Sequence, residues 1–243
     1  MTHDTKRGKT IRDKADRLKL YHFARFDVGI IQAYLGVTAA PLYCTRTASR
    51  LVRTYPARHG LKDLVNELLG FAYYAEIPAV IVDVQRTGPS TGMPTRTQQA
   101  DLLLCAYASH GDTKHVLLFP ADPAECFDFA VKAFDLAERF QTPVMVLTDL
   151  DIGMNDWVVP ELKWDDSFLP DRGRVLTAEE LHALPRFNRY ADEDAEFVTP
   201  RTLPGSGGAY FVRGSGHDKH GAYTEAPDKY QEVVDRLARK HTA

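Results

Sequence analysis

Three short apolar runs separated by long helical patterns constrain the fold of this chain more than any other feature. The runs cover Ala79–Val84, His115–Phe119 and Pro143–Asp149. Apolar residues at i, i+3 and i+4 spacing recur over residues 61–76, 98–109 and 123–140, which predicts helices there. Short strands joined by helices need crossover connections, and crossovers produce a parallel sheet. We therefore predict an α/β fold with a parallel sheet and flanking helices.

Local signals predict where several of these elements begin and end. Pro78 breaks the first helix, and Thr97 is a candidate N-cap of the second. Asp122 followed by Pro123 is typical of an N-cap with proline at the first helical position. The second helix is accordingly predicted over Gln98–Ser109, and the third is predicted to end near residue 140.

The chain is predicted to have three parts. Residues 61–155 form the α/β core, and residues 156–243 form an irregular extension with a short helix near Ala178–Leu184 and a closing helix over Asp228–Lys240. Residues 1–60 are basic and poorly patterned, with a weak helical pattern near Arg12–Ala24.

Composition excludes several classes of function. The net charge is −3, but residues 1–60 hold 12 Lys/Arg against 4 Asp/Glu, and the remainder is acidic. The basic residues form no stripe with interleaved aromatics, so nucleic-acid binding is disfavoured. No apolar run approaches the roughly 20 residues that span a bilayer, and the N-terminus lacks the apolar segment of a signal peptide.

The three cysteines, Cys44, Cys105 and Cys126, are far apart and form no Cys-x-x-Cys spacing. We therefore predict no iron–sulfur cluster or metal site on this chain and a reducing, cytoplasmic location.

Arg86 and the loop after it are the most informative candidate site. Arg86 directly follows the first apolar run, and open α/β sheets bind small anions at the carboxyl ends of their strands. A guanidinium can hold a carboxylate through two parallel hydrogen bonds. Flexible glycines and neutral hydroxyl donors complete the candidate set: Gly88, Ser90, Thr91, Gly92 and Thr95.

A structural role explains the same residues. Arg86 would then pair with a neighbouring acid, and the glycines would serve only turns. The loop lacks the Gly-x-x-x-x-Gly-Lys and Gly-x-Gly-x-x-Gly patterns, so nucleotide phosphate binding is disfavoured. From the residues alone, both interpretations stay open.

Three other polar groups carry weaker signals. Residues 109–112 and 216–218 each place an imidazole beside a carboxylate, but neither has a paired nucleophile, so a turn is the simpler interpretation. The third group consists of Asp149, Asp151, Asn155 and Asp156. It fits either a hard-metal site or a strand-end turn capped by Asp and Asn side chains.

The segment Val84–Asp101, with the sequence VQRTGPSTGMPTRTQQAD, resembles the signature segment of the α subunit of 2-oxoacid:ferredoxin oxidoreductases, the 2-oxoglutarate type in particular. The likeness covers about residues 61–243. It is carried further by residues 109–115, 137–143, 148–157, 201–205 and 213–218.

The resemblance implies an enzyme that decarboxylates a 2-oxoacid on thiamine diphosphate, passes electrons through an iron–sulfur cluster to ferredoxin and releases an acyl-CoA. This chain would supply a domain like the pyrimidine-binding domain of thiamine enzymes and share the thiamine diphosphate with a β subunit. The Mg²⁺ and the iron–sulfur cluster would lie on that β subunit. By motif position, Arg86 matches the residue that holds the 2-oxoacid carboxylate. Thr95 matches one near the distal end of the substrate that influences side-chain preference. The cofactor carries the carbanion chemistry, so no residue here is predicted as a general base.

The chain departs from the family pattern upstream of Leu61. A Tyr-Pro-Ile-Thr-Pro loop and the glutamate that activates the thiamine aminopyrimidine are both expected there, and neither can be placed in residues 1–60. A Thr-Ser-Gly-Pro-Gly turn is replaced by Ala57–Gly60. We therefore expect an α subunit truncated at both ends, with residues 1–60 unrelated or out of frame.

The sequence thus predicts the α subunit, or a fragment of it, of a 2-oxoglutarate-type oxidoreductase. Its partners would be the β subunit, ferredoxin, the 2-oxoacid and coenzyme A, and the isolated chain is expected to be inactive. The alternatives are a non-catalytic remnant or assembly module of that complex and a stand-alone binder of small carboxylates. A sheet without its first strands would expose an edge and apolar surface, so we expect dependence on a partner.

Overall fold

The computed structural model describes residues 69–88, 92–109, 113–192 and 196–242, together with the backbone of two short strands, Lys19–Tyr21 (β1) and Leu42–Cys44 (β2). The chain divides into two units, Met1–Asn66 and Glu67–Ala243.

In the first unit, β1 and β2 pair in parallel, with Lys19 opposite Leu42. The helix predicted near Arg12–Ala24 is therefore wrong over Lys19–Tyr21, and the rest of that range lies outside the described residues. Pairing with a distant strand overrides a weak local helical pattern, because propensity is only a small bias on each residue.

The second unit contains a parallel three-stranded sheet. Its strands are Ala79–Gln85 (β3), Val116–Leu118 (β4) and Pro143–Asp149 (β5), in the spatial order β3-β5-β4. All three predicted apolar runs are strands. The predicted parallel sheet with flanking helices is confirmed.

The register of β3 and β5 brings their carboxyl ends to one level. Ala79 lies opposite Pro143 at the start, and Gln85 lies opposite Asp149 at the end. Residues that follow either strand therefore emerge at the same edge of the sheet, which we call the carboxyl edge.

One hydrophobic core cluster lies between the central strand and the longest helix that the structure describes, Pro123–Phe140 (α2). Ala133 and Ala137 are buried against Val144 and Val146 of β5. Alanines at these two positions let the helix approach the sheet closely, so a larger side chain there would force the two apart.

The boundaries of α2 follow the predicted signals. The Asp122 carboxylate accepts a hydrogen bond from the backbone N–H of Glu125 at 2.9 Å, and Pro123 occupies the first turn. The helix ends at Phe140, and Gln141 adopts a left-handed conformation with φ 48°. The predicted N-cap is confirmed.

The helix predicted over Gln98–Ser109 is much shorter, Leu102–Ala106 (α1). Thr97 is not its cap, because the N-cap position is Asp101, whose side chain makes no capping hydrogen bond. The preceding residues are instead held at the carboxyl edge by hydrogen bonds to the sheet, described below. Tertiary contacts therefore override the local helical preference of residues 98–101.

Three further helices follow β5: Leu150–Met154 (α3), Ala178–Ala183 (α4) and Pro227–Lys240 (α5). The short helix and the closing helix of the predicted extension are both confirmed. A capping box between Thr177 and Glu180 begins α4. A helical segment over residues 69–74 precedes β3, and its predicted start at Leu61 lies outside the described residues.

A buried polar cluster holds the opposite, amino edge of the sheet. This amino-edge cluster consists of Glu76, Gln141, Arg189, Thr199, Arg236 and Lys240. Glu76 is 1% exposed, and its carboxylate accepts two hydrogen bonds from Arg236, at 2.6 and 2.9 Å, and one from Lys240 at 3.1 Å. Such bidentate, charge-assisted bonds are among the strongest in proteins.

Arg189 connects the starts of the two neighbouring strands. Its guanidinium donates to the backbone carbonyl of Glu76 at 3.1 Å and to Oε1 of Gln141 at 2.7 Å. Glu76 precedes β3 and Gln141 precedes β5, so one side chain from the C-terminal part of the chain holds both.

Candidate functional site

Arg86 lies at the carboxyl edge, directly after β3. Its side chain is exposed, and it forms no hydrogen bond or ion pair with any residue that the structure describes. The structural interpretation, in which Arg86 pairs with a neighbouring acid, therefore finds no support in the described ranges. An exposed guanidinium at this edge is available to an anionic ligand.

The loop after Arg86 closes on itself. The backbone N–H of Thr87 donates to the carbonyl of Arg96 at 2.8 Å, and Thr87 Oγ1 donates to the same carbonyl at 3.1 Å and to that of Thr97 at 3.3 Å. Thr87 also forms an antiparallel bridge with Met93. The two ends of the loop are thereby fastened to each other next to Arg86.

The other predicted loop residues are only partly described. Gly88, Gly92 and Thr95 are exposed along the closed loop. Ser90 and Thr91 lie outside the described residues. The structure thus places Arg86 and Thr95 on one short loop.

Two buried polar side chains at the carboxyl edge fasten the chain where it returns from this loop. Asp149, at the end of β5, accepts a hydrogen bond from Nε2 of Gln99 at 2.6 Å through Oδ2. Gln85, at the end of β3, accepts one from the backbone N–H of Asp101 at 3.3 Å. The other oxygen of Asp149 accepts from the backbone N–H of Ile152 at 3.1 Å and caps α3.

Asp149 stays ionised in this setting. Burial alone would raise the pKa of its carboxyl, but hydrogen bonds from Gln99 and from the backbone of Ile152 outweigh burial and lower the pKa. The sequence identified Asp149 only as a turn or metal candidate. Gln85 and Gln99 lie within the signature segment, but their hydrogen bonds could not be predicted, because Gln99 bonds a residue 50 positions away.

A buried thiol lies on α1 and contacts β3. Cys105 Sγ donates to Oδ2 of Asp83 at 3.5 Å, and burial together with the neighbouring carboxylate raises the pKa of Cys105 to about 12. A thiol that stays protonated is a poor nucleophile. Cys105 therefore contributes packing rather than chemistry.

The remaining polar candidates are structural where they are described. His217 is buried between the rings of Tyr74 and Tyr190, with centroid distances of 4.8 and 3.9 Å. Asp218 accepts backbone N–H bonds from His220 at 2.9 Å and Ala222 at 3.0 Å, as in a turn. Residues 110–112 lie outside the described part.

The polar group that follows β5 behaves as a capped turn. Asp149 caps α3, and within the described ranges no group of three or more His, Cys, Asp or Glu side chains is arranged to hold a metal ion. No helix in the same ranges is long and apolar enough to cross a membrane.

The surface around Arg86 is open and partly apolar. Two clefts of about 340 and 350 Å³ lie beside α5, and Arg86 lines neither of them. Large apolar side chains are exposed on the two elements that flank the loop in sequence, among them Val82 (60%) on β3 and Leu103 (72%) on α1. Exposed apolar surface of this kind is typical of a surface that another chain covers.

Comparisons with known proteins give a consistent result. The family described as pyruvate flavodoxin/ferredoxin oxidoreductase, thiamine diP-bdg, matches residues 48–184. The 2-oxoglutarate synthase subunit KorA of Methanocaldococcus jannaschii is 32% identical over 179 residues, which cover 73% of this chain and 46% of the relative. The 2-oxoglutarate oxidoreductase subunit KorA of Mycobacterium tuberculosis is 43% identical over 102 residues, which cover 41% of this chain and 16% of the relative.

A solved structure agrees in fold. The 2-oxoglutarate:ferredoxin oxidoreductase from Magnetococcus marinus, with 2-oxoglutarate, coenzyme A and succinyl-CoA bound, superimposes with a TM-score of 0.69 at 25% identity. The likeness covers 96% of this chain and 42% of that one. The match thus covers less than half the length of each of these relatives.

Proposed function

Because this chain belongs to the pyruvate flavodoxin/ferredoxin oxidoreductase family, through its thiamine diphosphate-binding domain, we propose that it supplies the 2-oxoacid-binding loop of a 2-oxoglutarate:ferredoxin oxidoreductase. The reaction would be oxidative decarboxylation of 2-oxoglutarate to an acyl-CoA, with the electrons passed to ferredoxin. The chain would act as the α subunit, or a part of it, beside a β subunit. The names of the relatives support 2-oxoglutarate as the substrate.

The observation that carries this proposal is the exposed guanidinium of Arg86 at the carboxyl edge, with no described partner. A 2-oxoacid carries a carboxylate that a guanidinium can hold through two parallel hydrogen bonds. In this role Arg86 binds and orients the substrate. The glycines at 88 and 92 allow the backbone to approach it, and the hydroxyls of Ser90, Thr91 and Thr95 shape the rest of the pocket.

The residues that the structure describes do not by themselves complete a thiamine diphosphate site. Glu76 is bonded to Arg236 and Lys240, and Asp149 is bonded to Gln99, so neither carboxylate is free to meet the aminopyrimidine. Thiamine diphosphate, when bound to such an enzyme, supplies the carbanion chemistry. We propose that it is shared with the β subunit, which would also hold Mg²⁺ and the iron–sulfur cluster.

A second candidate function is a non-catalytic assembly module of the same complex. The observation in its favour is that Glu76 and Asp149, the buried carboxylates at the two edges of the described sheet, are both bonded within the chain. Such a module would bind the β subunit through its open carboxyl edge and support no turnover.

Reconstitution separates the two functions. The chain is mixed with the β subunit of a 2-oxoglutarate:ferredoxin oxidoreductase, and viologen dye reduction is followed with and without 2-oxoglutarate and coenzyme A. Dye reduction that requires both substrates supports the catalytic role. A stable complex without dye reduction identifies the assembly module, and the absence of any complex contradicts both functions.

A further inference from the structure

We infer that Gln99 and Asp149 are positioning residues that hold the Arg86 loop in place on the sheet. This inference rests on the proposed function of the loop as the substrate-binding segment. Neither residue is expected to touch the substrate carboxylate. They would act through the backbone that carries Arg86.

The position of the loop is set from both of its ends. It leaves the sheet at Arg86, fixed by β3, and it returns toward α1 through residues 97–101. The return segment has no regular secondary structure of its own. Its contacts with the sheet edge include the bond from Gln99 to Asp149 at 2.6 Å and the bond from Asp101 N–H to Gln85 at 3.3 Å.

The bond between Gln99 and Asp149 is the stronger of these two contacts. It is short, and its acceptor is an ionised carboxylate, so it is charge-assisted. Asp149 is 5% exposed at the end of the central strand, and its second oxygen is occupied by the cap of α3. A side chain held in this way cannot swing with the loop and is a fixed point for it.

Hydrogen bonds within the loop connect the Gln99–Asp149 contact to Arg86. Thr87 is bonded to the carbonyls of Arg96 and Thr97, and Thr97 lies two residues before Gln99. Loss of the Gln99 bond would loosen the return segment, and the closed loop would then move more freely about its attachment to β3. Arg86 lies at that attachment, so the backbone that carries it would lose its support from the return side of the loop.

Two variants separate this role from a general loss of stability. Gln99→Ala removes the loop contact and leaves the cap of α3, and because Gln99 is exposed the variant is expected to fold. Asp122→Ala is the matched control, because it removes an aspartate N-cap from α2 and touches no residue of the loop.

The first measurement needs no activity. Hydrogen exchange at the amides of Thr87 and Arg96 is followed in the full chain, because both amides donate within the loop. Gln99→Ala should speed exchange at these amides about tenfold, as expected for the loss of one charge-assisted hydrogen bond. Asp122→Ala should leave it unchanged. If the amides of Thr87 and Arg96 in Gln99→Ala exchange at the wild-type rate, the inference is overturned.

The second measurement uses the reconstituted complex. Gln99→Ala should raise the KM for 2-oxoglutarate about tenfold and leave the KM for coenzyme A unchanged. Asp149→Asn keeps an oxygen for the cap and can exchange donor and acceptor with Gln99, so it should retain more affinity than Asp149→Ala. Faster exchange with an unchanged KM would contradict the positioning role. If the proposed function is wrong, the wild-type complex shows no 2-oxoglutarate-dependent dye reduction. The hydrogen-exchange result would still decide whether Gln99 holds the loop.

Discussion

The two edges of the same sheet use arginine in opposite ways. At the amino edge, Arg189 and Arg236 are buried, and their guanidinium groups are bonded to Glu76 and Gln141. At the carboxyl edge, Arg86 is exposed and has no described partner. β3 and β5 run between the two edges, so a rigid amino edge supports an open carboxyl edge. Arginine stabilises the fold where its charge is paired and buried, and it is available to a ligand where it is not.

The largest effect is expected at the amino edge. Glu76→Ala leaves Arg236 and Lys240 buried without their carboxylate, so the free energy of unfolding should fall by about 3–5 kcal/mol. Urea denaturation of the full chain measures it. Lys229→Ala is the control, because it breaks an exposed ion pair with Glu232 and should produce no measurable change. If Glu76→Ala lowers the free energy of unfolding no more than Lys229→Ala does, the amino-edge cluster does not stabilise the sheet.

The pH dependence of stability should report the same cluster. Burial alone would raise the pKa of Glu76, but Lys240 and Arg236 hold it far below its usual range. The ionised Glu76 therefore stabilises the fold fully above the pKa of an unfolded glutamate, ~4.3. This stabilisation is lost as the pH falls below that pKa, because the unfolded chain then binds a proton at Glu76 and the folded chain does not. The stability difference between wild type and Glu76→Gln should narrow between about pH 4.5 and pH 3. A difference that stays constant over this range would mean that folding does not lower the pKa of Glu76.

A smaller effect is expected at the carboxyl edge. Thr95→Val keeps the shape of the side chain and removes its hydroxyl, so the ratio of kcat/KM for 2-oxoglutarate to kcat/KM for pyruvate should change by a factor of about 5, or about 1 kcal/mol. Dye reduction by the reconstituted complex with each substrate provides the two values. If the ratio of the two kcat/KM values is unchanged, Thr95 does not determine which 2-oxoacid is preferred.

The parts of the fold that local signals control could be predicted from the sequence. β5 was predicted as Pro143–Asp149 because its apolar run is continuous and begins at a proline, and the start of α2 followed from Asp122 and Pro123. Arg86 could be identified because the loop motif is contiguous in sequence. Its role remains a prediction.

Features that depend on distant contacts could not be predicted. Gln99 bonds a residue 50 positions away, and this contact shortens α1 in a way that the helical pattern does not reveal. Glu76 and Arg236 are separated by 160 positions, so nothing in the local sequence indicates that they meet. A charged residue in a helical pattern is ordinarily expected to be solvated, and only the packing of α5 shows that these two are buried.

The most direct test compares two arginines of the same loop. Arg86→Ala and Arg96→Ala each remove one exposed positive charge, and the Arg96 side chain has no described partner. Both variants are reconstituted with the β subunit, and the apparent affinity for 2-oxoglutarate is measured by dye reduction. We predict that Arg86→Ala weakens binding by roughly 2–5 kcal/mol, that Arg96→Ala changes it little, and that both unfold at the wild-type urea concentration. Equal affinities in the two variants, or activity retained by Arg86→Ala at low substrate, would contradict the assignment of Arg86 as the residue that holds the 2-oxoacid carboxylate.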